Sequence, residues 1–472
     1  MHILLKTTVA AAALACGAVA ATATASYTEA PPRPSVTEQR TVGAFTAIEL
    51  AGPYHVMVTA QAANAVQLSG EAKQLADVDV FVSGDTLFVR PRSHGTIFHF
   101  GIGRRHQAVT VRISAQQLAS LKASGSGDTE IEHLAGERMT LSSTGPGDLR
   151  ASGAVRDLTV SNSGSGDVDL HQLKVSNATV ALSGPGELRL SGLDGVLDAR
   201  VSGSGDLEAD ALHLTKLAAI LSGPGGATLS GSATDVHAEV AGSGDFDACR
   251  LAADSAKVIL SGPGDGCLGG QAKTFEGEIH GSGDLTVTGL QAKSVRVLLS
   301  GPGSAILKGS AATLNADLSG SGDLEANGLA VQSATVRSRG PGALHLNNVA
   351  DTLDADVRGS GDLTAVLSGK RLLLKLSGPG DASIDGTVDS VTAQLSGSGS
   401  LEANSLTAGH ADVAVHGPGS ATINVKGGAE KARLVKIDRS GSHTQLDWSP
   451  PPSGHARPAW PFFTSCTIPD WH

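Results

Sequence analysis

The chain has 472 residues and a formal net charge of -11, and it combines 60 glycines with only 3% aromatic residues. Charged residues make up 17% and mean hydropathy is +0.03, which excludes a highly charged disordered protein and a multi-span membrane protein. The scarcity of aromatic residues argues against several ordinary globular cores, and the negative charge argues against nucleic-acid binding.

Residues 1–25 have the pattern of an export signal. Lys6 precedes an apolar, Ala-rich run that ends in Ala23-Thr24-Ala25, a small-x-small cleavage pattern. We predict a signal peptide over 1–25 and a linker over 26–37; Cys16 lacks the usual lipobox leucine, so we do not favour a lipoprotein. No later apolar run approaches the roughly 20 residues of a membrane span, so we expect no transmembrane span in the mature chain. The expected location is periplasmic, outer-membrane-associated or extracellular.

Residues 38–112 alternate apolar and polar side chains without a glycine repeat. The alternation is clear at Ala47-Ile48-Glu49-Leu50 and His55-Val56-Met57-Val58. Five of the nine phenylalanines also lie here: Phe45, Phe81, Phe88, Phe98 and Phe100. We predict the first turns of a rod, with the larger residues sealing its open end.

Residues 113–425 contain a repeat that determines the architecture. Gly-x-Gly occurs sixteen times and alternates strictly between Gly-Ser-Gly and Gly-Pro-Gly, at spacings of 19 or 20 residues. The first glycines are Gly125, Gly145, Gly164, Gly184, Gly203, Gly223, Gly242, Gly262, Gly281, Gly301, Gly320, Gly340, Gly359, Gly378, Gly397 and Gly417. The intervals alternate 20 and 19, except at Gly359 to Gly378, so the true unit is a 39-residue double repeat.

Between the glycines, apolar residues recur every second position, as in Val258-x-Leu260 and Val413-x-Val415. Units this short bury their apolar residues only when they stack. We therefore predict an all-β fold, a single-chain parallel β-helix of about sixteen turns plus N-terminal capping turns. Sixteen turns at about 4.8 Å each give a rod of roughly 75 Å. Each glycine provides either positive φ or close stacking, and each proline should break the hydrogen-bond ladder at its corner.

Residues 426–472 differ in composition from the repeat. They hold all three tryptophans, Trp448, Trp460 and Trp471, together with Pro450-Pro451-Pro452. We predict a C-terminal cap followed by a Pro/Trp-rich tail, which is either a flexible extension or a partner-docking segment.

Several motifs resemble one known family. They are Val42-Gly43-Ala44-Phe45, Val66-Gln67-Leu68-Ser69-Gly70-Glu71, Asp85-Thr86-Leu87-Phe88-Val89, Val109-Thr110-Val111-Arg112-Ile113 and, most specifically, the Ser124-Gly125-Ser126-Gly127-Asp128 repeats. Together, over about residues 38–425, they resemble the auto-transporter adhesin head domain, or GIN domain, family. The resemblance implies a β-helical fold in an exported bacterial protein.

An acidic residue follows the second glycine in eleven of the sixteen repeats. Stacked turns would align these residues, and carboxylate oxygens are ligands that Ca²⁺ prefers. The candidate metal ligands are Asp128, Asp167, Asp206, Asp245, Asp284, Asp323 and Asp362. We favour the alternative that each carboxylate hydrogen-bonds the local amides of its own turn.

A second cluster of varied chemistry lies in one Gly-containing segment. His94, His99, Arg104, Arg105 and His106 could bind a metal or an anionic ligand, although a loop over the N-terminal cap is the simpler interpretation.

Three cysteines follow the leader. Cys249 and Cys267 are 18 residues apart, close to one repeat, but we favour two buried thiols over a disulfide and leave Cys466 unassigned. No Cys-x-x-Cys motif indicates zinc. We predict no cofactor and no catalytic residues, because the constant turn length leaves no inserted loop to build a cleft.

The sequence thus favours an exported, non-enzymatic, adhesin-like binding or scaffold protein of the bacterial cell envelope. Its expected ligand is an envelope glycan or protein, bound through repeated weak contacts. The alternatives are a β-helical carbohydrate-active enzyme, either a polysaccharide lyase or a hydrolase, and a calcium-stabilised structural rod.

Overall fold

The computed structural model describes residues 35–60, 63–92 and 109–425, together with two strands at 433–437 and 442–446. The signal peptide, the cluster from His94 to His106, Cys466 and the three tryptophans lie outside the described residues. The described part contains one short helix, α1 (Ala72–Ala76), and 28 strands. The strands, in chain order, are β1 (Val36–Arg40), β2 (Ala47–Leu50), β3 (His55–Ala60), β4 (Ala65–Gly70), β5 (Val78–Ser83), β6 (Thr86–Pro91), β7 (Thr110–Ala115), β8 (Ser120–Ala123), β9 (Thr129–Ser143), β10 (Leu149–Asn162), β11 (Val168–Leu182), β12 (Leu188–Ser191), β13 (Val196–Val201), β14 (Leu207–Leu221), β15 (Ala227–Val240), β16 (Phe246–Leu260), β17 (Gly266–Gly269), β18 (Thr274–Ile279), β19 (Leu285–Leu299), β20 (Ala305–Leu318), β21 (Leu324–Ser338), β22 (Leu344–Val357), β23 (Leu363–Leu376), β24 (Ala382–Leu395), β25 (Leu401–Val415), β26 (Ala421–Val425), β27 (Arg433–Ile437) and β28 (Ser442–Leu446).

The strands from β9 to β26 form a parallel stack in which each turn pairs with the next. Leu207 pairs with Ala227, and Leu221 at the other end of β14 pairs with Val240, so one repeat equals one turn. The predicted parallel β-helix is therefore confirmed. The repeat period produces this register because a shift of one residue would turn polar side chains into the interior.

Each turn has three sides. In β14 the buried residues form three groups, namely Leu207 with Ala209, Leu212 with Leu214, and Leu217 with Ala219 and Leu221. Two consecutive exposed residues separate one group from the next, which is where the backbone bends. We call the sides the first, second and third faces in chain order, with the glycine corner closing the turn. The interior is filled by leucine, valine and alanine, which explains the low aromatic content.

The glycine corners are explained by close stacking. A Cβ on Gly145 would overlap the carbonyl oxygen of Gly125 in the preceding turn, and one on Gly147 would overlap that of Gly127. Of the two roles that the sequence allowed, close approach therefore applies at these corners. Positive φ occurs mainly at the bend after the first face, for example at Gly153 with φ 130°, and also at Gly417 of the last corner, with φ 148°.

The expectation that proline breaks the ladder at its corner is wrong. The N–H of Gly147, just after Pro146, donates to Gly125 O at 3.4 Å, and Gly166 N–H donates to Gly145 O at 3.3 Å. Among the described corners, the middle serine makes no backbone N–H bond either, as at Ser165. Proline therefore removes a donor that the ladder does not use, and its ring lies exposed at the tip of the corner.

Antiparallel strands cover both ends of the stack. At the N-terminal end, β1 pairs with β4 and β4 with β7, while β5 pairs with β6. At the C-terminal end, β27 pairs with β26 and β28 with β25. β1 begins at Val36, inside the segment that we expected to be a linker. Parallel-strand edges are thus occupied by segments of the same chain.

Phenylalanines contribute to the N-terminal end in two ways. Phe45 is buried in the core. Phe81 and Phe88 stack with ring centroids 5.1 Å apart, and the Arg90 guanidinium lies 4.7 Å from the Phe81 centroid. The stack is only half-buried, so these two rings extend the outer surface of the cap rather than plug the interior.

Candidate functional site

The acidic residues after the glycine corners form hydrogen bonds between successive turns. Asp128 Oδ1 accepts from the backbone N–H of Asp148 at 3.1 Å, and Asp284 Oδ1 accepts from that of Ser304 at 2.8 Å. All seven candidate metal ligands make the equivalent bond; the other acceptors are Asp167, Asp206, Asp245, Asp323 and Asp362. Each carboxylate therefore bonds the amide of the next turn rather than one in its own turn.

This ladder brings no three carboxylates together. In the described part of the chain, the one group of three metal-ligating side chains with ligand atoms within 4.8 Å is Asp247, Cys249 and Cys267. The amide bonds account for one oxygen of each ladder aspartate and support the hydrogen-bonding interpretation over calcium binding. Calcium binding by the ladder stays an untested hypothesis.

Cys249 and Cys267 form a disulfide between adjacent turns, with Cα atoms 5.1 Å apart. The expectation of two buried free thiols is wrong on both points, because Cys249 is also exposed. A spacing one or two residues below the repeat length places two side chains on neighbouring turns at nearly the same position around the turn. The 18-residue separation, close to the repeat length, was the feature of the sequence from which the disulfide could have been predicted.

The third face carries an outward column that sequence reasoning missed. Acids recur every 39 residues, once per Gly-Ser-Gly turn, at Glu239, Glu278, Asp317 and Asp356. Strand register places an aliphatic or basic residue between successive acids: Ile259, Leu298 and Arg337. We call this the alternating column. Acids on alternate turns lie about 9.6 Å apart along the rod, twice the strand spacing.

Ion pairs lower the carboxyl pKa of two acids in the alternating column, Glu278 and Asp356. Lys257 Nζ lies 2.7 Å from Glu278 Oε1 and 3.7 Å from Glu276 Oε1. The hydrogen bond from Lys257 lowers the pKa of the Glu278 carboxyl and raises that of the Lys257 ammonium. Farther along, the hydrogen bond from Arg358 lowers the pKa of the Asp356 carboxyl. These ion pairs therefore favour the ionised forms of Glu278 and Asp356.

Two shallow grooves lie on this face. One has a volume of about 480 Å³ and is lined by residues that include His237, Lys257 and Arg296. The other, of about 530 Å³, is lined by residues that include Lys375 and His416. A smaller depression of about 140 Å³ lies on the first face beside Glu130, Arg150 and His171. Grooves that run along a flat sheet suit an extended ligand better than a compact small molecule.

The described turns show no arrangement typical of a hydrolase or lyase. Each turn between residues 109 and 425 has nearly constant length, so no inserted loop rises beside the grooves. Burial raises the pKa of the Glu187 carboxyl, but its neighbour Arg189, 2.5 Å away, opposes this effect. One half-buried carboxyl next to an arginine does not form the pair of carboxyls that glycoside hydrolysis uses.

Comparison with known proteins supplies the family. The model of the "putative auto-transporter adhesin, head GIN domain" matches residues 44–214, 194–269, 267–368 and 348–432. The chain belongs to this GIN-domain family. The resemblance seen in the sequence is thereby confirmed, and the description of the family is that of an adhesin-like head domain.

Solved structures similar to this GIN-domain chain include a putative lipid binding protein from Parabacteroides distasonis, at 17% identity, covering 58% of this chain and 97% of that one, with a TM-score of 0.35. A putative adhesin from Bacteroides fragilis is also 17% identical, with coverage of 57% and 94% and a TM-score of 0.26. A putative adhesin from Parabacteroides merdae is 13% identical, with coverage of 78% and 95% and a TM-score of 0.21. No curated protein matches the chain. Within the described residues, no helix has the length and apolar character needed to cross a membrane.

Proposed function

We propose that this GIN-domain protein is a non-enzymatic, adhesin-like binding protein of the bacterial cell envelope that holds an extended glycan along its third face. The observation that carries the proposal is the alternating column. Ionised carboxylates accept hydrogen bonds from sugar hydroxyls, and the aliphatic side chains between them can pack against the apolar C–H faces of the rings. Each contact is weak, but repetition along one rigid rod raises the overall affinity.

The two grooves support the same face. Lys257, Arg296 and Lys375 add donors beside the acceptors of the column. Because ion pairs already hold Lys257 and Arg296, binding would cost less side-chain entropy than on a surface of free charges.

The test is retention by purified envelope polysaccharides and by intact cell-wall material. A triple variant, Glu239→Gln, Glu278→Gln and Asp317→Asn, removes three charges from the alternating column. The matched control places Glu208→Gln, Glu325→Gln and Glu402→Gln on the exposed first face. We expect the column variant to lose at least tenfold in apparent affinity and the control to retain wild-type affinity. Equal loss in both variants, or retention by protein components only, contradicts a glycan site on the third face.

The enzyme alternative makes a different prediction for the same material. A lyase or hydrolase would reduce the viscosity of a soluble polysaccharide during incubation, whereas a binding protein leaves chain length unchanged. Size-exclusion chromatography of the polysaccharide before and after incubation measures this directly.

A further inference from the structure

One cluster of metal-ligating side chains lies apart from the third face. Asp247 and Cys249 lie on β16, and Cys267 lies on β17 of the next turn. Asp247 and Cys267 are direct partners in the parallel ladder, so both side chains leave the same face at neighbouring heights. The ligand atoms of all three residues lie within 4.8 Å of one another.

The backbone around the cluster holds it in place. The N–H of Cys249 donates to Asp247 Oδ1 at 3.1 Å, which keeps the carboxylate beside the sulfur atoms. Gly269 packs directly against the carbonyl oxygen of Cys249, where any side chain would push the two turns apart. Asp247 and Cys249 are exposed and Cys267 is half-buried, so a solute ion has access to all three.

We propose that this cluster is a redox-controlled site for a thiophilic divalent cation such as Zn²⁺. In the disulfide state the sulfurs are not thiolates and the cluster joins two turns covalently. After reduction, two thiolates and one carboxylate supply the soft and borderline ligands that such ions prefer. Zinc bonds of about 2.3 Å to sulfur and 2.0–2.2 Å to oxygen require ligand atoms within about 4 Å of each other. The observed cluster needs only small side-chain rotations to satisfy this condition.

The change of state balances as a dithiol–disulfide exchange. A dithiol reductant attacks the Cys249–Cys267 bond, forms a mixed disulfide and leaves as its own cyclic disulfide. Two electrons and two protons pass to the cysteine sulfurs. Binding of the cation then releases the two thiol protons and replaces the covalent S–S link by an S–metal–S bridge between the same turns. The fourth position of a tetrahedral ion stays open to water or to an external ligand.

The experiment uses the full chain with Cys16→Ser and Cys466→Ser, so that only the cluster contributes thiolates. Protein reduced with a phosphine is titrated with Cd²⁺, and the ultraviolet thiolate-to-cadmium absorption is recorded. We expect one ion per chain, no absorption in the oxidised protein, and none when Cys249→Ser is added. Asp247→Asn should weaken binding about tenfold or more, while Asp210→Asn, an exposed control, should not.

A second measurement tests whether reduction unfolds the two turns locally instead of creating a metal site. Zn²⁺ should protect Cys249 and Cys267 of the reduced protein from alkylation, with peptide mapping as the readout. Absence of the absorption band, equal affinity in the Asp247→Asn and Asp210→Asn variants, or alkylation unaffected by Zn²⁺ would each overturn the proposal.

Discussion

At the scale of single residues, the interior column ahead of each glycine corner holds leucine, valine or isoleucine in most turns, but it contains three polar exceptions. Asn162 is fully buried and satisfied, because its Nδ2 donates to Gly166 O at 2.9 Å and its Oδ1 accepts from Gly164 N–H at 3.1 Å. Ser143 and Ser338 are equally buried, yet their hydroxyl oxygens have no hydrogen-bond partner. One column thus holds one polar side chain with hydrogen-bond partners and two without.

We expect Ser338→Val to stabilise the protein and Asn162→Ala to destabilise it. Ser338 lies between Leu318 and Val357, so valine restores an apolar ladder and removes a desolvated hydroxyl, a gain of about 1 kcal/mol. Asn162→Ala leaves a buried donor and acceptor at its corner, a loss of about 1–3 kcal/mol. Hydrogen exchange of the adjacent turns measures both effects locally. Slower exchange in Asn162→Ala would contradict this account.

The acidic ladder gives a second prediction at this scale. Asp284→Asn keeps the acceptor oxygen for the Ser304 amide, whereas Asp284→Ala removes it. We therefore expect near-wild-type melting for Asn and a loss of about 1 kcal/mol for Ala. A calcium ladder predicts instead that both variants are destabilised and that a chelator lowers the wild-type melting temperature. The chelator measurement on wild-type protein decides between the two.

At the scale of the turn, stability depends on how closely two glycine corners approach. Neither glycine of the Gly-x-Gly pair has room for a methyl group, while the residue between them points to solvent and is interchangeably serine or proline. The corner therefore requires glycine at its first and third positions and accepts either serine or proline at its middle position. This difference explains why Ser and Pro alternate without disturbing the stack.

Gly301→Ala should destabilise its turn markedly. The new Cβ would overlap the carbonyl oxygens of Gly281 and His280, which are backbone atoms and cannot rotate away. We expect a cost of about 1–3 kcal/mol, typical of overpacking. Gly136→Ala is the matched control, because nothing lies within 4 Å of a Cβ there. Similar melting temperatures for the two variants would show that corner stacking is looser than described.

At the scale of the whole molecule, a solenoid is stabilised by contacts between neighbouring turns, so its ends are its exposed points. β27 and β28 cover the last parallel strands by antiparallel pairing. At the other end β4 and β5 do so, and β1 pairs with β4. A stack that ended in free parallel strands would present unpaired backbone groups to other chains. We therefore expect the caps to keep the rod from extending by association.

Deleting residues 433–472 should cause concentration-dependent association. The deletion removes β27 and β28 and frees the edges of β25 and β26. Deleting only 447–472 is the control, because it leaves both strands in place. Analytical ultracentrifugation of the two truncated proteins compares them directly, and a monomeric 1–432 chain would show that the C-terminal strands do not block association.

The amino-acid sequence by itself determined the strands, the parallel stack and the family. The Gly-x-Gly period equals one turn, and apolar residues at every second position can be buried together only when turns align. The sequence also contains the 39-residue recurrence of Glu239, Glu278, Asp317 and Asp356. Only the structure shows that these side chains lie on the outer side of their strands.

The tertiary structure alone decided what the aligned side chains touch. Asp284 bonds an amide 20 residues away, Cys249 pairs with Cys267, and the prolines of the described glycine corners interrupt no hydrogen bond. The repeat period shows that two residues belong to neighbouring turns. It does not show whether their side-chain atoms come within the few ångströms that a bond requires. Backbone offsets at each bend therefore determine which atoms meet. Caps at both ends were predicted, but their antiparallel pairing was not, for the related reason that these strands lie outside the repeat.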